Sequence, residues 1–476
     1  MKVRDYKDIP EGLKATIVFA IASFATSGIN YITTPIFTRL LSTAEYGLIS
    51  VYNSWFEIVR VFASLTLIFP GILNVGLYEH SDNRWKYLSS VLGMTACSTI
   101  IISIGYIMFQ NTINALFQLP TVAIILMLLM CFFQPATIFW TQKQRYEIQY
   151  KITFIVSVGS AIMAQIVSVV AVLTFRNTGI NLAIVRLWSA GIVNIVVAIY
   201  LYIYICKKGC KYIDIPLWKT TLVVAVPLIP HYLSTVVLSS IDKIMISQMV
   251  GQSKTGIYSL AAILSAIGVL IWRALSVTYT PFVNRKLGEK NYTQIRTAVK
   301  PLLVVVAIFC ILTALGAPEI IGILATKDYY EGIYVVPPIA AGIYTTALYD
   351  NFTAVSFFYK KSVYIMFATV VAAISNIILN YICIQKFGYI AAGYTTLASN
   401  LILTALHYIN SRRIVKEEIY DSRFCFMSVC IVIICCMSCI FIYQTRRVRY
   451  GFIVLLLFAL LKYVKNVVKG IEMMGH

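Results

Sequence analysis

The stretch LLSTAEYGLIS, residues 40–50, lies between two long apolar runs, and the stretch MVGQSKTGIYS, residues 249–259, lies in the same setting later in the chain. The two segments align at an offset of 209 residues, which places Gly47 on Gly256. Small and polar residues between apolar runs are typical of a turn that joins two helices. A turn that occurs twice at this long spacing predicts an internal duplication of the fold.

The composition is that of a membrane protein. Of the 476 residues, 59% are hydrophobic and only 12% are charged, and the mean hydropathy is +0.82. Soluble domains carry about 25% charged residues, so lipid must cover much of this surface. Because backbone polar groups have no water partners in lipid, long apolar runs predict transmembrane helices. The predicted fold class is an all-α polytopic membrane protein.

Apolar runs of the required length define about fourteen predicted spans, with no soluble domain between them. These spans are 13–41, 45–69, 89–109, 119–140, 152–174, 180–205, 219–250, 256–282, 301–324, 334–358, 362–385, 389–410, 424–443 and 450–466. The longest polar loops are predicted near 70–88, 283–300 and 411–423.

The distribution of Lys and Arg predicts the orientation of these spans. Loops on the side of the N-terminus hold about three times as many Lys and Arg residues as loops on the other side, which makes both termini cytoplasmic. The segment QTRRVRY (444–450) breaks this rule, so the last hairpin is the least determined. Basic cytoplasmic loops that face anionic lipid explain the net charge of +20, and nucleic-acid binding is not indicated. The polar segment 1–12 predicts an uncleaved first span rather than a signal peptide.

The offset of 209 recurs at a second turn. The segment TGINLAIVRLW (178–188) aligns with FGYIAAGYTTL (387–397), with Gly179 on Gly388. Spans 1–6 then correspond to spans 7–12. Since six is an even number, both halves enter the membrane in the same direction, as in transporters built from parallel repeats.

The duplication predicts three regions. They are a six-helix lobe over 1–210, a second six-helix lobe over 211–415, and two additional helices over 416–476. Two such lobes are expected to enclose a central cleft, which is the geometry that alternating access requires.

Four segments carry a resemblance to a known family: PIFTRLLSTAEYGLISVY (35–52), QRYEIQYK (144–151), DKIMISQMVGQSKTGIYSLA (242–261) and FGYIAAGYTTLAS (387–399). They resemble the polysaccharide-transporter family, which includes the O-antigen and capsule repeat-unit flippases of bacteria. Its superfamily also holds multidrug and toxic-compound extrusion pumps and lipid II flippases. The resemblance covers nearly the whole chain, although Lys243 stands where Arg is more usual.

The family motifs mark hairpin turns rather than substrate contacts. The residues of this hairpin motif are Arg39, Glu45, Gly47, Gly251 and Gly256. The resemblance implies a location in the bacterial cytoplasmic membrane and a cargo made of a short glycan on undecaprenyl pyrophosphate. It also suggests a polysaccharide polymerase as a partner.

Charged side chains inside predicted spans are candidates for the substrate site, because a charge at the bilayer centre costs about 2.5–3.5 kcal/mol on insertion scales. Removing the offset places Arg273 of span 8 at the equivalent of position 64, one turn from Arg60 of span 2. Two guanidinium forks that stay charged suit a pyrophosphate. The alternative is that Glu57, three residues before Arg60, simply neutralises it. Glu57 is also a candidate for coupling or gating, if this ion pair opens when an anionic ligand arrives.

Arg186 and Lys243 complete the predicted cationic site. Arg186 lies close to an outer turn, so the alternative is that its side chain extends to the membrane interface. Asp242 and Lys243 are adjacent near the outer end of span 7, where a packing role and a role in ion binding or gating are both open. No cofactor or metal is indicated, since metal-ligand spacings of Cys and His are absent.

Pro227, Pro230 and His231 mark a weak point in span 7. Proline removes a backbone donor and crowds the preceding turn, so this helix is predicted to bend and to provide a hinge. His231 is a candidate for proton-linked gating, with a hydrogen bond to a neighbouring helix as the alternative. Asp350 in span 10 is a further candidate for binding a coupling ion, either a proton or sodium.

The sequence contains no P-loop, nucleophile elbow or zinc-protease motif, so we expect a transporter rather than an enzyme. The leading hypothesis is a flippase that carries an anionic polyprenyl-pyrophosphate glycan to the outer leaflet by alternating access. By analogy with lipid II flippases, spans 13 and 14 are expected to supply an apolar groove for the lipid tail. A multidrug or cation antiporter, a lipid II flippase and a non-transporting scaffold are the alternatives. Because cations outnumber anions inside the spans, a cationic cargo is disfavoured.

Overall fold

The computed structural model describes residues 11–475, and it describes side-chain surroundings for all of these except 13, 267, 278 and 464–475. The N-terminal residues 1–10, which were expected to be cytoplasmic, lie outside the described residues. Over the described residues the chain is helical and contains no β-strand, which confirms the all-α class.

Nineteen α-helices, α1–α19 in chain order, make up the described residues. The first nine are Glu11–Leu40, Thr43–Ala63, Pro70–Glu79, Arg84–Met108, Gln110–Phe117, Thr121–Tyr146, Tyr150–Phe175, Leu182–Gly209 and Ile215–Ala225. The remaining ten are Ile229–Met249, Gln252–Ser265, Ile267–Gly288, Tyr292–Leu315, Ala317–Leu324, Val336–Phe358, Ser362–Phe387, Ala391–Ile414, Ser422–Ile442 and Arg446–Gly475.

The helices account for the predicted spans. Ten helical segments within the described residues are long and apolar enough to cross a membrane, or eleven if the pair Lys327–Tyr334 and Val336–Phe358, bent by 53°, forms one span. Helices α2, α17 and α19 also coincide with predicted spans, but they are more polar. The chain is therefore a multi-pass membrane protein, and a total of about fourteen spans agrees with the positions of these helices.

The described chain divides into two compact units, with the division between Val236 and Val237, inside α10. Within the first unit, α6 packs against α4 and α8, and α7 packs against α8. Within the second unit, α15 packs against α13 and α17, and α16 packs against α17. These helices correspond to one another in the predicted duplication. The predicted lobe limits at 210 and 415 and the predicted cleft remain predictions.

Helix ends recur at the offset of 209. The matching pairs are Leu40 and Met249 at the ends of α1 and α10, Thr43 and Gln252 at the starts of α2 and α11, and Leu182 and Ala391 at the starts of α8 and α17. Gly179 and Gly388 have the same positive φ, 73° and 74°. Residues with a side chain rarely adopt this conformation. These coincidences support the duplication.

The repeated turn joins two neighbouring hairpins in each unit. Ser42 and Glu45 form a capping box at the start of α2, and Glu45 Oε1 also accepts a hydrogen bond of 2.9 Å from the backbone N–H of Leu182. In the second unit Lys254, at the position equivalent to Glu45, forms an ion pair with Glu331 and lies 5.2 Å from the ring centroid of Tyr389. In each unit the motif thus attaches the start of the helix after the turn, α2 or α11, to a turn that is distant in the sequence.

The other motif residues also lie at or near the helix ends that flank the repeated turn. Gly47 and Gly256 are buried in the first turns of α2 and α11, and Gly251 precedes α11 with φ 119°. Arg39 is exposed in the last turn of α1, where a cation interacts favourably with the helix dipole.

Two helix breaks lie together in the first unit. After α2 the chain passes through Leu65 and Thr66, which have positive φ values of 51° and 63°. The Thr66 hydroxyl donates a 3.1 Å hydrogen bond to the carbonyl of Ala225, where α9 ends. Phe69 stacks on Tyr232 with 3.7 Å between ring centroids. The first part of predicted span 7 therefore packs in the first unit.

Two of the predicted polar loops are wrong over much of their length. Within 70–88, Pro70 starts α3, as expected for a proline in a first turn, where its missing N–H has no helical partner. Within 283–300, α12 continues to Gly288, and Asn291 then caps α13 by accepting from the N–H of Gln294. Amphipathic ends lengthen these helices beyond their apolar runs.

Arg449 is one of three arginines in the segment 444–450 and differs from the exposed Arg446 and Arg447 in being buried. It is only 2% exposed, forms an ion pair with Glu319, and donates to the carbonyl of Tyr443. This arginine is a packed structural residue rather than a loop charge. At the other end of α18, Lys300 lies 2.6 Å from Asp421, and its hydrogen bond lowers the pKa of that carboxyl group.

Candidate functional site

Arg60 lies in the last turn of α2 and forms an ion pair with Glu57, with 2.6 Å between Nη2 and Oε2. The side chains are 26% and 37% exposed, so solvent weakens the pair to about 0–1 kcal/mol. The Arg60 Nε is buried and donates no hydrogen bond to the described residues. The neutralising ion pair that the sequence left open is therefore formed, and it is weak enough to open for an anionic ligand.

Arg186 packs among aromatic rings in the first unit. Its guanidinium carbon lies 3.7 Å from the ring centroid of Phe37 and 5.8 Å from that of Tyr46. Cation–π contacts of this kind contribute about 0.5–2 kcal/mol, so they join α8 to α1 and α2. Tyr46 and Arg60 are 14 residues apart on one helix, which is roughly 21 Å along its axis. The structure therefore does not place Arg186 beside Arg60.

Arg273 lies near the start of α12 and is exposed. Its guanidinium forms no hydrogen bond or ion pair with the described residues, although it lies within electrostatic range of Asp350. The helix that carries it is interrupted at Ala266, whereas α2 runs unbroken through Arg60. The comparison of helix faces between Arg60 and Arg273 remains a prediction, because the break at Ala266 lies within Gln252–Val277, a segment long and apolar enough to be one span.

Asp350 on α15 accepts a 2.8 Å hydrogen bond from the indole N–H of Trp272 on α12. A cavity of about 390 Å³ opens beside this pair, between α12 and α15. Its lining combines aromatic rings with amide and hydroxyl groups, including Tyr279, Asn284 and Thr353.

Asp242 is the centre of a buried polar network in the second unit. It is 5% exposed, and its carboxylate accepts from Tyr258 at 2.7 Å, Thr396 at 2.5 Å and Asn380 at 2.6 Å. Asn380 in turn donates to Asn376 at 3.2 Å. Every side chain that donates to Asp242 is neutral. Thr395 donates to the amide oxygen of Asn380, so the network collects a carboxylate, two amide groups and three hydroxyl groups at one buried place.

Lys243 and His231 stand apart from this network. Lys243 follows Asp242 on α10 and is half-buried, and neighbouring residues on a helix point in different directions. His231 lies on the first turn of α10, in the first unit, with its ring 5.2 Å from that of Tyr232. The α-helix is interrupted just before it by the 3-10 turn Val226–Leu228, which contains Pro227 and ends shortly before Pro230. A hinge role for these prolines remains a prediction.

No group of three or more His, Cys, Asp or Glu side chains among the described residues could hold a metal ion. All eleven cysteines are free thiols.

A second cavity, of about 510 Å³, lies between α15, α17 and α18. Its walls are mostly apolar and include Phe352, Leu401, Phe426 and Val429. The sequence predicted an apolar groove formed by the two additional helices. Of these, α18 lines the cavity, whereas α19 contributes no lining residue among the described residues.

Sequence reasoning named Asp242 and Asp350 but missed the residues that define their surroundings. Asn380 and Thr396 lie more than 130 residues from Asp242 in the chain, and Trp272 lies 78 residues from Asp350. The available signal was polar side chains in apolar runs, as in SNIILNY (375–381) and GYTTLAS (393–399).

Two family descriptions match the sequence. Residues 13–285, more than half of the chain, match the family described as polysaccharide biosynthesis protein, and residues 227–382 match the MatE family. These families consist of transporters, which confirms the expectation that the chain is not an enzyme.

One curated relative is Agl15 of Haloferax volcanii, described as a probable low-salt glycan biosynthesis flippase. It is 27% identical over 198 residues, which are 40% of this chain and 42% of that protein. The chain thus matches less than half of the length of this relative.

Two solved structures show the same fold. The lipid II flippase MurJ in an inward closed conformation has a TM-score of 0.67 at 16% identity, covering 94% of this chain and 98% of that one. A multidrug resistance MATE family transporter in an inward-facing conformation has a TM-score of 0.60 at 14% identity, covering 84% and 98%. With the fold of these transporters and a family match over residues 13–285, the chain belongs to the polysaccharide biosynthesis protein family.

Proposed function

We propose that the chain is a flippase that moves an oligosaccharide linked to a polyprenyl pyrophosphate from the cytoplasmic to the outer leaflet of the bacterial cytoplasmic membrane. It works by alternating access, with both termini cytoplasmic and the lipid bilayer as its medium. The family and the partial match to a probable glycan flippase support this class of cargo.

Arg273 is the observation that carries the proposal. A guanidinium inside a membrane span costs about 2.5–3.5 kcal/mol on insertion scales, and Arg273 recovers none of this through an ion pair or hydrogen bond with the described residues. Its planar donors remain charged and can bind two oxygens of one phosphate group at once. A pyrophosphate is the part of the cargo that this chemistry fits.

Arg60 offers a second anion contact. Its ion pair with Glu57 is partly exposed, and a pyrophosphate with two charges competes well for a guanidinium held by one carboxylate. We propose that Arg60 and Arg273 both contact the pyrophosphate during the transport cycle. Arg186 is packed among aromatic rings and is assigned a structural role instead.

The apolar cavity beside α18 is proposed to hold the start of the polyprenyl tail. Its volume of about 510 Å³ exceeds that of a few isoprene units, and its walls offer no charged group. The rest of the tail stays in lipid, so only the glycan and pyrophosphate cross the membrane core.

The membrane potential can give this transport its direction. Moving two negative charges outward is favoured by an inside-negative potential and releases about 4.6 kcal/mol per 100 mV. A coupling ion then serves to reset the carrier, and we propose that it binds at Asp242. The buried carboxylate and amide oxygens of that network are the ligands that a proton or sodium ion prefers.

The test is complementation of the producing cells after deletion of this chain, scored by surface polysaccharide. We expect Arg273→Ala to abolish surface polysaccharide and to leave lipid-linked glycan in the inner leaflet, with partial activity in Arg273→Lys. The matched control is Arg447→Ala, since Arg447 is exposed near the start of α19. Membrane levels of each variant are measured alongside.

The outcomes separate the alternatives. Normal surface polysaccharide with Arg273→Ala would remove the pyrophosphate site from the proposal. If the deleted cells keep their polysaccharide but lose viability and accumulate lipid II, the chain is a lipid II flippase. If they keep polysaccharide and become sensitive to cationic drugs, it is a multidrug antiporter.

A further inference from the structure

We propose that the cavity between α12 and α15 is a binding subsite for the sugar joined directly to the pyrophosphate, with Asp350, Asn351 and Trp272 as its main recognition groups. This inference rests on the proposed function. It assigns the specificity for the first sugar to a place within the second unit.

The size and walls of the cavity fit a sugar ring. Its volume of about 390 Å³ lies within the usual range for small-molecule sites, roughly 300–1,000 Å³. Trp272, Tyr279 and Phe357 provide aromatic surface, on which the C–H faces of a sugar ring pack well. Ser276, Thr280, Asn284 and Thr353 add hydroxyl and amide groups that reach sugar hydroxyls in any orientation.

Two side-chain oxygen atoms that belong to residues of the cavity wall accept no hydrogen bond from the described residues. Asp350 Oδ2 accepts from the Trp272 indole, whereas Oδ1 accepts no hydrogen bond from the described residues. Asn351 is 1% exposed, and its Oδ1 also has no partner among these residues, although its Nδ2 donates to the carbonyl of Ala347 at 2.7 Å. Asn351 Oδ1 is therefore a buried acceptor without a donor, which is unfavourable, whereas Asp350 is exposed. Two sugar hydroxyl groups would supply the missing donors.

The position of the cavity next to Arg273 matches the covalent structure of the cargo. Arg273 follows Trp272 in the chain, and although neighbouring side chains on a helix point in different directions, Arg273 lies within electrostatic range of Asp350 in the cavity wall. In a glycosyl pyrophosphate the sugar carbon is bonded directly to a phosphate oxygen. The neighbouring cation and cavity therefore receive two adjacent parts of one molecule.

The local hydrogen bond gives Asp350 a fixed orientation. Because the Trp272 indole N–H can only donate, it holds Oδ2 and turns Oδ1 toward other partners. An oriented carboxylate distinguishes sugars that place a hydroxyl group opposite Oδ1 from epimers that do not. Sites built to bind a hydroxyl group reject analogues without it strongly, because buried polar groups then lose their partners.

The experiment measures equilibrium binding to the full-length chain in lipid nanodiscs. One probe is the pool of polyprenyl-pyrophosphate glycans extracted from the producing cells, and the other is undecaprenyl pyrophosphate without a sugar. The variants are Asp350→Leu, Asp350→Asn and Asn284→Ala, with Arg273→Ala as the phosphate variant. Asp328→Leu is the matched control, because Asp328 is exposed and lies outside the cavity.

We expect the wild type to bind the glycan probe at least tenfold more tightly than the sugar-free probe. Asp350→Leu should remove most of this preference while the dissociation constant of the sugar-free probe changes less than twofold. Asp350→Asn should keep part of the preference, since an amide oxygen still accepts a hydrogen bond. Asn284→Ala, at an exposed wall position with little influence on folding, should reduce it several-fold. Arg273→Ala should weaken both probes together.

Three results would overturn the subsite. They are a wild type that does not distinguish the probes, an Asp350→Leu variant that weakens both equally, and an Asp350→Asn variant that keeps the full preference but loses the pH dependence of transport. The last result would make Asp350 a proton site. Failure of the proposed function is recognised separately, because the wild type would then bind neither probe.

Discussion

The substitution Asp242→Asn separates a coupling-ion site from a purely structural network. It replaces one carboxylate oxygen of Asp242 by an amide NH2 group and keeps nearly the same side-chain shape. The Tyr258 and Thr396 hydroxyl groups can rotate and accept from that amide, so the network can re-form. The change loses the added strength of hydrogen bonds to a charged acceptor, and we expect a loss of about 1–2 kcal/mol of stability. By contrast, Asp242→Leu leaves the buried Tyr258 hydroxyl without its acceptor, at about 1–3 kcal/mol, whereas Thr396 and Asn380 keep Ala392 and Asn376 as acceptors.

The assay is thermal unfolding of the full-length chain in detergent, in sodium chloride and in choline chloride. A site that is occupied at 100 times its dissociation constant stabilises the native state by about 2.7 kcal/mol. We expect sodium to raise the melting temperature of the wild type, and Asp242→Asn to lose this increment while it still unfolds cooperatively. Asp328→Asn, at an exposed carboxylate of the same unit, should keep the increment.

An Asp242→Asn variant that retains the full sodium increment would refute a sodium site at this network. If the wild type gains nothing from sodium, the same comparison is made over pH. A pH dependence that the variant lacks would identify the proton as the ion. If the melting temperatures of the wild type and the variant respond alike to sodium and to pH, the network has only a structural role.

Two further substitutions test the fold. Arg449→Leu leaves Glu319 without its cation. Because the Glu319 side chain is 30% exposed, we expect the free energy of unfolding to fall by about 2–3 kcal/mol rather than the 3–5 kcal/mol of a fully buried pair. If Arg449→Leu unfolds at the same temperature as the Arg446→Leu control, the contact is unimportant for stability. Gly388→Ala should lower the free energy of unfolding by about 1–3 kcal/mol, because its φ of 74° is strained for alanine although its surroundings are open. Gly451→Ala, in an equally open helical position, should not destabilise the chain, and an equal loss in both variants would contradict the backbone argument.

The architecture was largely predictable because it depends on patterns that repeat along the chain. Apolar runs between polar turns located the spans, and the offset of 209 was visible from Gly47 and Gly256 alone. The same offset reappears in the helix ends and in the conformation of Gly179 and Gly388. These features are local, so one sequence is sufficient to find them.

The site was less predictable because it depends on contacts between distant residues. The acceptors Asp242 and Asp350 were visible as charges in apolar runs, but their donors lie on other helices. The break after α2 was also hidden, since Leu65 and Thr66 adopt positive φ without any glycine to signal it. Arg60 and Arg273 were compared as if their helices were both continuous, and no glycine or proline lies at Ala266 or next to it to signal the break there.

The contact between Arg449 and Glu319 has a consequence for the biosynthesis of the protein. A basic segment resists export during membrane insertion, and in the proposed orientation the segment 444–450 must be exported. Glu319 precedes Arg449 by 130 residues, so the translated chain already displays this acid when the last hairpin leaves the ribosome. In that orientation Glu319 is available to pair with Arg449 as the last hairpin inserts. Replacing Glu319 would then remove the partner of Arg449 during insertion while leaving the sequence of the terminal hairpin intact.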